Sequence, residues 1–481
     1  MSSTLKFSER KNKIRKLSDR VAPSFEKWRS RNDYFHQEDE RYTSFLATGN
    51  SEAILDLGCG NGDLLASLSP KRGVGIDFSE QTVEAARARH PELGFHVGDV
   101  EDPATISAIE GPFDLIVLSD TIGELEDIQS TLAQLHALCH DESRIVIAYH
   151  SQYWGPFLKM AESLGLKRPT PPQNWLSSND IAELLDLAEF DIIMREWRQL
   201  VPQRLFGIGR LINRFIAPLP FIRKLCVRSY LVARSSRIAP MDNPSATVVI
   251  PCRNEKGNVQ PAVDRVPAFC DDIEFLFIEG GSSDGTWEEI ERVIKMRPDL
   301  DIKALKQSGT GKGDAVRAGF DAARGDILMI QDADLTAPPE DLPKFYDALV
   351  GRRGDFINGT RLVYPMDSEA MRFLNLVANN LFSLTFTWLL NQRFTDTLCG
   401  TKVLTADHYR KIAENRAYFG EFDPFGDFDL ILGAARLNMK VQEIPVRYRA
   451  REYGSTQISR FRHGMMLIRM TIFAFIKLKA I

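Results

Sequence analysis

Residues 53–63 read Ala-Ile-Leu-Asp-Leu-Gly-Cys-Gly-Asn-Gly-Asp. An apolar run around Asp56 breaks into Gly58, Cys59, Gly60 and Gly62. Glycines let a turn approach a ligand closely and take dihedrals closed to other residues. Working outward, the next apolar run ends in Gly75-Ile76-Asp77, fifteen residues beyond Gly62, which is room for one helix and one strand. At the end of a second parallel strand a carboxylate can accept both hydroxyls of a ribose. A third run ends in Gly98-Asp99-Val100, a fourth (FDLIVLSD) in Ser119-Asp120, and a fifth (RIVIAYH) in His150. Carboxyl ends of parallel strands are where doubly wound sheets bind their ligands.

The same alternation restarts at Thr247 with TVVIPC, EFLFIEG, DILMIQDAD and GDFINGT. Each set reads as parallel strands linked by helices. No short repeat is evident, so two unlike α/β domains are expected, with a boundary in the small-polar and proline stretch Ser235–Asn243. The expected division is 1–238, 239–463 and a C-terminal amphipathic helix over 464–481.

Composition narrows the function. Hydrophobic residues make up 44% of the 481 and charged residues 26%, a globular balance. The formal net charge of -5 gives no overall basic excess for a nucleic-acid backbone, so nucleic acid is not an expected partner. Cysteines at 59, 139, 226, 252, 270 and 399 form no Cys-x-x-Cys pair, which argues against a zinc site or disulfide framework. The first twenty residues are basic without an apolar core, unlike a secretory signal. A cytoplasmic location is expected, with peripheral attachment to a membrane left open.

Three segments bear on that attachment. Residues 201–237 carry eight Arg and Lys residues and no acid, and read either as a basic amphipathic helix before the last strand of the domain or as a face toward a membrane or acceptor. Phe373–Gln392 is uncharged, but Asn375, Asn379, Ser383, Thr387 and Asn391 recur at every fourth position, which suits a surface-lying amphipathic helix better than a span. The tail 464–481, interrupted by Arg469, Lys477 and Lys479, reads as interfacial, or else as a helix packed on the second domain.

The ordered strand-end features of the first half resemble a class I S-adenosylmethionine-dependent methyltransferase over roughly residues 25–235. The resemblance implies a Rossmann-like domain in which Gly58, Gly60 and Gly62 flank the methionine part, with Asp56 and Cys59 also at the cofactor. It gives Asp77 the ribose, Asp99 and Val100 the adenine, and Ser119 a place beside the cofactor. A dehydrogenase is the rival for a glycine-rich turn; the Asp56-x-Gly-x-Gly start and the Gly98-Asp99 pair favour the methyl donor. His150 is the best-placed general base for a hydroxyl acceptor. Tyr34 and His36 are expected in a lid, and Pro171–Trp175 at the acceptor pocket.

In the second half, Asp332-Ala333-Asp334 closes an apolar strand. Carboxylates at i and i+2 suit a hard divalent cation that bridges a diphosphate. With the turns at 251–255 and 279–286 and the loop Gly311-Lys312-Gly313-Asp314, the set resembles a GT-A, family-2 glycosyltransferase of the polyprenyl-phosphate sugar synthase type. The resemblance assigns Pro251, Arg253, Asn254, Glu255, Glu279, Asp284 and Lys312 to the nucleotide sugar. It assigns Asp332 to the diphosphate, Asp332 and Asp334 to Mg²⁺ or Mn²⁺, and Asp427 or Asp429 to the general base. Arg361 and Asp396 fall in the acceptor half, and Arg451 with Gly454-Ser455-Thr456 in a late phosphate-gripping loop. Glu279 stands where an aspartate is common and Gln457 where a lysine often follows, which shifts phosphate gripping toward Arg460, Arg462 or His463. No membrane span follows in the sequence, so a saccharide stands beside a lipid phosphate as acceptor.

The leading reading is a bifunctional transferase in surface-glycan or glycolipid synthesis, of fold class α/β with two doubly wound domains. The alternatives are a GT-A-like nucleotidyltransferase, and a chain in which one domain is a non-catalytic binding scaffold.

Overall fold

The computed structural model describes residues 8–47, 52–364, 373–419, 428–451, 453 and 460–481, with backbone alone for 373–379 and 460–464. Asp427, Gly454-Ser455-Thr456 and Gln457 lie outside the described residues, as do the side chains of Asn375, Asn379, Arg460, Arg462 and His463. The chain forms two compact units, Met1–Ile238 with Lys479–Ile481, and Ala239–Leu478.

The first unit holds β1 (Ala53–Leu57), β2 (Arg72–Asp77), β3 (Gly94–Val97), β4 (Phe113–Ser119), β5 (Cys139–His150), β6 (Phe190–Arg198) and β7 (Arg228–Ser235). They form one sheet in the order β3-β2-β1-β4-β5-β7-β6. The apolar runs are continuous because both faces are covered. Leu55, Leu57, Ile116, Leu118 and Ile145 pack into one buried cluster, while their neighbours Ile54, Leu115, Val117 and Val146 pack into another. The chain leaves β1 toward β2 on one side and returns to β4 on the other, which opens a crevice at the carboxyl ends of β1, β2 and β4.

The parallel reading holds for β1 to β5, whereas β7 runs antiparallel to both β5 and β6. An apolar run carries no sign of its direction. The basic stretch 201–237 is not one helix. It breaks into short turns at Leu205–Gly207, Ile208–Leu211, Ile212–Ile216 and Arg223–Leu225, and then becomes β7. Gly207, at φ 97°, separates the first turn from the next, and prolines 218 and 220 follow the turn that ends at Ile216. Arg228 and Arg234, which read as part of a basic surface, are buried inside β7. Lys479, near the chain's end, is wholly buried beside Glu196, and burial lowers its pKa to about 8.

The second unit holds β8 (Ala246–Cys252), β9 (Ile273–Glu279), β10 (Asp301–Lys306), β11 (Ile327–Ile330), β12 (Phe356–Thr360), β13 (Lys402–Thr405) and β14 (Val441–Pro445). Its sheet runs β10-β9-β8-β11-β13-β12-β14, with β13 antiparallel to β11 and β12. The reversal of strand order places its crevice between β8 and β11. The helix Phe373–Leu390 turns part of its polar stripe inward: the Ser383 and Thr387 hydroxyls donate to the Phe394 carbonyl at 2.6 and 3.0 Å. Leu381 and Leu384 are left exposed. The tail helix Arg460–Ala474 buries Leu467, Met470 and Ala474 and exposes Met465, Ile468 and Ile472. No helix among the described residues is long and apolar enough to cross a membrane.

Candidate active sites

In the first unit a cavity of about 240 Å³ opens over the carboxyl ends of β1, β2 and β4. Its floor is the turn Gly58–Gly62. Gly58 sits at φ +77°, and a Cβ there would lie 2.1 Å from the Thr121 hydroxyl, so no other residue fits. Asp77 is aimed by two backbone amides, from Gly60 at 3.1 Å and Ser79 at 2.9 Å. Asp56 is buried, and one of its carboxylate oxygens has no hydrogen-bond partner. Burial, reinforced by the nearby Asp77 charge, raises its pKa to about 7. Such an oxygen is an unmet acceptor for a ligand cation. Cys59, Asp99, Val100 and Ser119 also line the cavity, so eight of the nine residues assigned to the cofactor from the sequence line it; Gly62, against Phe95, does not.

The lid is only partly the expected one. His36 lines the cavity, and burial, aided by the Arg29 charge, lowers its pKa to about 4. Tyr34 instead accepts from Asn213 at 3.0 Å. The helix Glu9–Val21 supplies the other part: Lys11 pairs with Asp99 at 2.5 Å and Glu101 at 2.7 Å. In the sequence that helix shows only as basic residues.

His150 stands at the end of β5 with Nδ1 2.8 Å from Asp120, its ring stacked on Phe35 at 5.9 Å. It lines a second cavity, open and about 760 Å³, together with Lys159, Lys167, Pro171, Gln173 and Trp175. Asp120 lines the first cavity, so the His150–Asp120 pair touches both. Behind it lies a group invisible in the sequence. Arg228, fully buried, binds both oxygens of Asp39 at 3.0 Å, the Ser119 hydroxyl at 3.0 Å, and Asp120. The Tyr230 hydroxyl also donates to Asp39. Burial would raise the Asp120 pKa, but the charges of Arg228 and His150 outweigh it and hold the carboxyl well below the usual range.

In the second unit, the loops after β8 and β9 are knitted together. Asn254, at φ +57°, accepts from the Ser283 amide at 2.8 Å, and Asp284 accepts from the Lys256 amide at 3.2 Å. Glu279 binds the Ser282 amide of its own loop at 2.5 Å. Each acid of the Asp-x-Asp pair has a cation. Asp332 meets Lys312 at 2.7 Å, and Asp334 meets Arg451 at 2.6 Å, which also holds Glu255 at 3.0 Å. Burial would raise Asp332, but Lys312, Lys402 and Arg361 hold it below the ordinary value. A Cβ on Gly400 would lie 1.8 Å from the Asp332 carboxylate, so that glycine is what admits the acid.

Pro251 lies within β8 and Arg253 just beyond it, exposed. Arg361 grips Asp396 with two bonds, at 2.6 and 2.9 Å. Asp429 falls in the first turn of the helix Phe428–Arg436 and pairs with Arg416 at 2.8 Å.

Both halves of the chain have counterparts among known proteins. Residues 19–194 match the family model described as a methyltransferase domain, and residues 247–413 match glycosyl transferase family 2. Along the chain, then, a match to a methyltransferase domain precedes a match to glycosyl transferase family 2. Relatives of the chain include the undecaprenyl-phosphate 4-deoxy-4-formamido-L-arabinose transferase of Aeromonas hydrophila, 35% identical over 21% of this chain and 32% of that one. They also include the polyprenol monophosphomannose synthase of Mycolicibacterium smegmatis, 28% identical over 44% of this chain and 80% of that one. The chain thus spans about a third of the first relative's length. A solved methyltransferase of Thermotoga maritima, described as a possible histamine N-methyltransferase, is 13% identical over 46% of this chain and 99% of that one, with a TM-score of 0.36.

Proposed function

We propose that the chain is a bifunctional enzyme that transfers a methyl group from S-adenosylmethionine to a hydroxyl and a glycosyl group from a nucleotide sugar to a lipid phosphate. The observation that carries the first half is the unpartnered Asp56 oxygen, buried in a cavity that Asp77 and Asp99 also line. It suits the ammonium of a methionine, while Asp77 suits a ribose and Asp99, released from Lys11, an adenine amino group. S-adenosylmethionine supplies an electrophilic methyl on sulfur. His150 accepts the acceptor's proton on Nε2 while Asp120 holds Nδ1. Asp77→Ala should weaken S-adenosylmethionine binding by ~1.5–3 kcal/mol, the worth of a hydrogen bond to a charged group, and leave nucleotide-sugar binding unchanged. Calorimetry with each ligand separates the two, and an unaltered methyl-donor affinity would remove the assignment.

The second half rests on the Asp332–Asp334 pair at the crevice, each carboxylate held by a cation that a diphosphate can also engage. Two carboxylates are enough for Mg²⁺ or Mn²⁺, because such ions commonly complete their shell with substrate phosphates and water. The ion neutralises charge on the leaving diphosphate. Lys312 and Arg451, displaced from the acids, then stand beside the phosphates. The names of the two curated relatives support a lipid-phosphate acceptor over a saccharide. An ionised phosphate needs no general base, which agrees with Asp429 being engaged by Arg416. Asp334→Asn should lower metal-dependent nucleotide-sugar affinity roughly 10–150-fold, equivalent to ~1.5–3 kcal/mol. Binding that survives without a change in metal dependence would exclude the pair as the metal site.

A further inference from the structure

We infer that the methyltransferase unit carries a docking face for an anionic lipid bilayer, built from residues 203–225 and the adjoining helix Gly155–Ser163. From Leu205 to Leu225 nine large apolar side chains are exposed, led by Phe206 at 108% and Phe221 at 94%. Monomeric soluble surfaces scatter such residues singly. Phe206 is held at φ 56°, a region that costs a bulky residue energy, and its side chain is fully in solvent. No intramolecular contact of that side chain offsets the cost; an external apolar phase would.

The second helix extends the patch. Phe157 and Met160 are exposed along it, Tyr153 just before it and Leu164 just after, and the Trp154 indole N–H donates to the Leu225 carbonyl at 2.8 Å, joining the two segments. The charge pattern selects the occupant. Arg210 and Lys224 are exposed among the apolar residues, Arg204 beside them pairs with Asp33 at 3.2 Å, and the sequence has no acid between Glu196 and Asp242. Glu162, on the helix, is turned to Thr170. Protein interfaces deplete lysine from an apolar centre. Aromatic and aliphatic side chains interleaved with cations instead match an acyl boundary beneath phosphate headgroups.

Leu158 and Lys159 of the same helix line the cavity beside His150. An acceptor held at the bilayer surface would therefore reach that cavity without leaving the lipid. This last step rests on the methyl-acceptor reading; docking does not, and vesicle binding is measured without any methyl transfer, so the two fail separately.

The test is co-sedimentation of the full chain with phosphatidylcholine vesicles, plain or containing roughly one-third phosphatidylglycerol. Wild type should bind the anionic vesicles, and rising salt should release it. Phe206→Glu with Phe221→Glu should lower partitioning about tenfold or more. Arg210→Gln and Lys224→Gln should each lower it roughly fivefold. Phe206→Trp removes no internal contact, so brominated lipid should quench the emission this substitution adds even if the double variant fails to fold. Absence of wild-type binding, added emission in Phe206→Trp that brominated lipid leaves unquenched, or indifference to lipid charge overturns the proposal. So does a concentration-dependent dimer that the double variant breaks, which would make the occupant a second copy.

Discussion

Replacing His150 with alanine should slow methyl transfer to a hydroxyl acceptor by about 10²–10⁴-fold, the usual contribution of a positioned base. S-adenosylmethionine affinity, read by calorimetry, should stay at its wild-type value, because His150 lines the second cavity and not the donor cavity. The ring nitrogen decides the role. Nδ1 lies 2.8 Å from Asp120 and 3.4 Å from an Arg228 nitrogen. A protonated Nδ1 donates to the carboxylate, and the shorter contact prevails. Nε2 is then the lone-pair nitrogen, free to take the acceptor's proton as the oxygen–methyl bond forms and the sulfur–methyl bond breaks. Asp120→Asn should lower kcat, since an amide no longer enforces that tautomer. A purely structural histidine would show its loss in melting temperature and not in this division between kcat and donor binding. An acceptor that enters already ionised would leave both variants at full rate, and the base role would fall.

The parts of the site that were legible in the sequence are the local ones. A strand and the turn after it occupy consecutive residues, so the glycine turn at Gly58–Gly62, the carboxylate of Asp77 and the Asp332–Asp334 pair announce themselves by order and spacing. The crevices follow, because strand ends are where an α/β sheet binds. Strand direction was not legible: the apolar run Tyr230-Leu231-Val232 of β7 looks like that of a parallel strand and runs the other way.

Pairings across the chain were not legible either. Arg228 meets Asp39 over 189 residues, and Lys11 meets Asp99 over 88. Read in place, Arg228 was one more cation in a basic stretch; only the fold shows it enclosed by two carboxylates and a tyrosine. The polar stripe from Asn375 to Asn391 was a surface feature by periodicity. Part of it proves to hold a turn through Ser383 and Thr387, because the helix doubles back onto Phe394. Periodicity reports that a stripe exists and not which neighbour it faces.

Arg228→Met should cost about 3–5 kcal/mol of unfolding free energy in the first unit, the range for breaking a buried ion pair by removing one partner. The guanidinium is wholly enclosed: Nε and Nη2 bind Asp39, Nη2 also donates to the Ser119 hydroxyl, and Nη1 binds Asp120. Lysine cannot reproduce that fork, so Arg228→Lys should recover only a minor part. The pH dependence identifies the cause. In the wild type the Asp120 carboxyl is held well below its usual value. Its stabilising contribution is therefore fully present above the unfolded carboxylate pKa of ~3.9 and is lost only as pH falls below that. In the variant the buried Asp39 loses its cation, while the part-exposed Asp120 keeps only His150, and burial without a cation disfavours the charged form of a carboxylate. The folded state then binds more protons than the unfolded one, so unfolding free energy should rise as pH is lowered from neutrality toward ~5. Denaturant melts at several pH values measure this directly. A variant whose unfolding free energy stays level from neutrality to pH ~5, as the Asp120 contribution does in the wild type, would show that Arg228 acts by packing alone, and Asp39→Asn in the same background should then restore nothing.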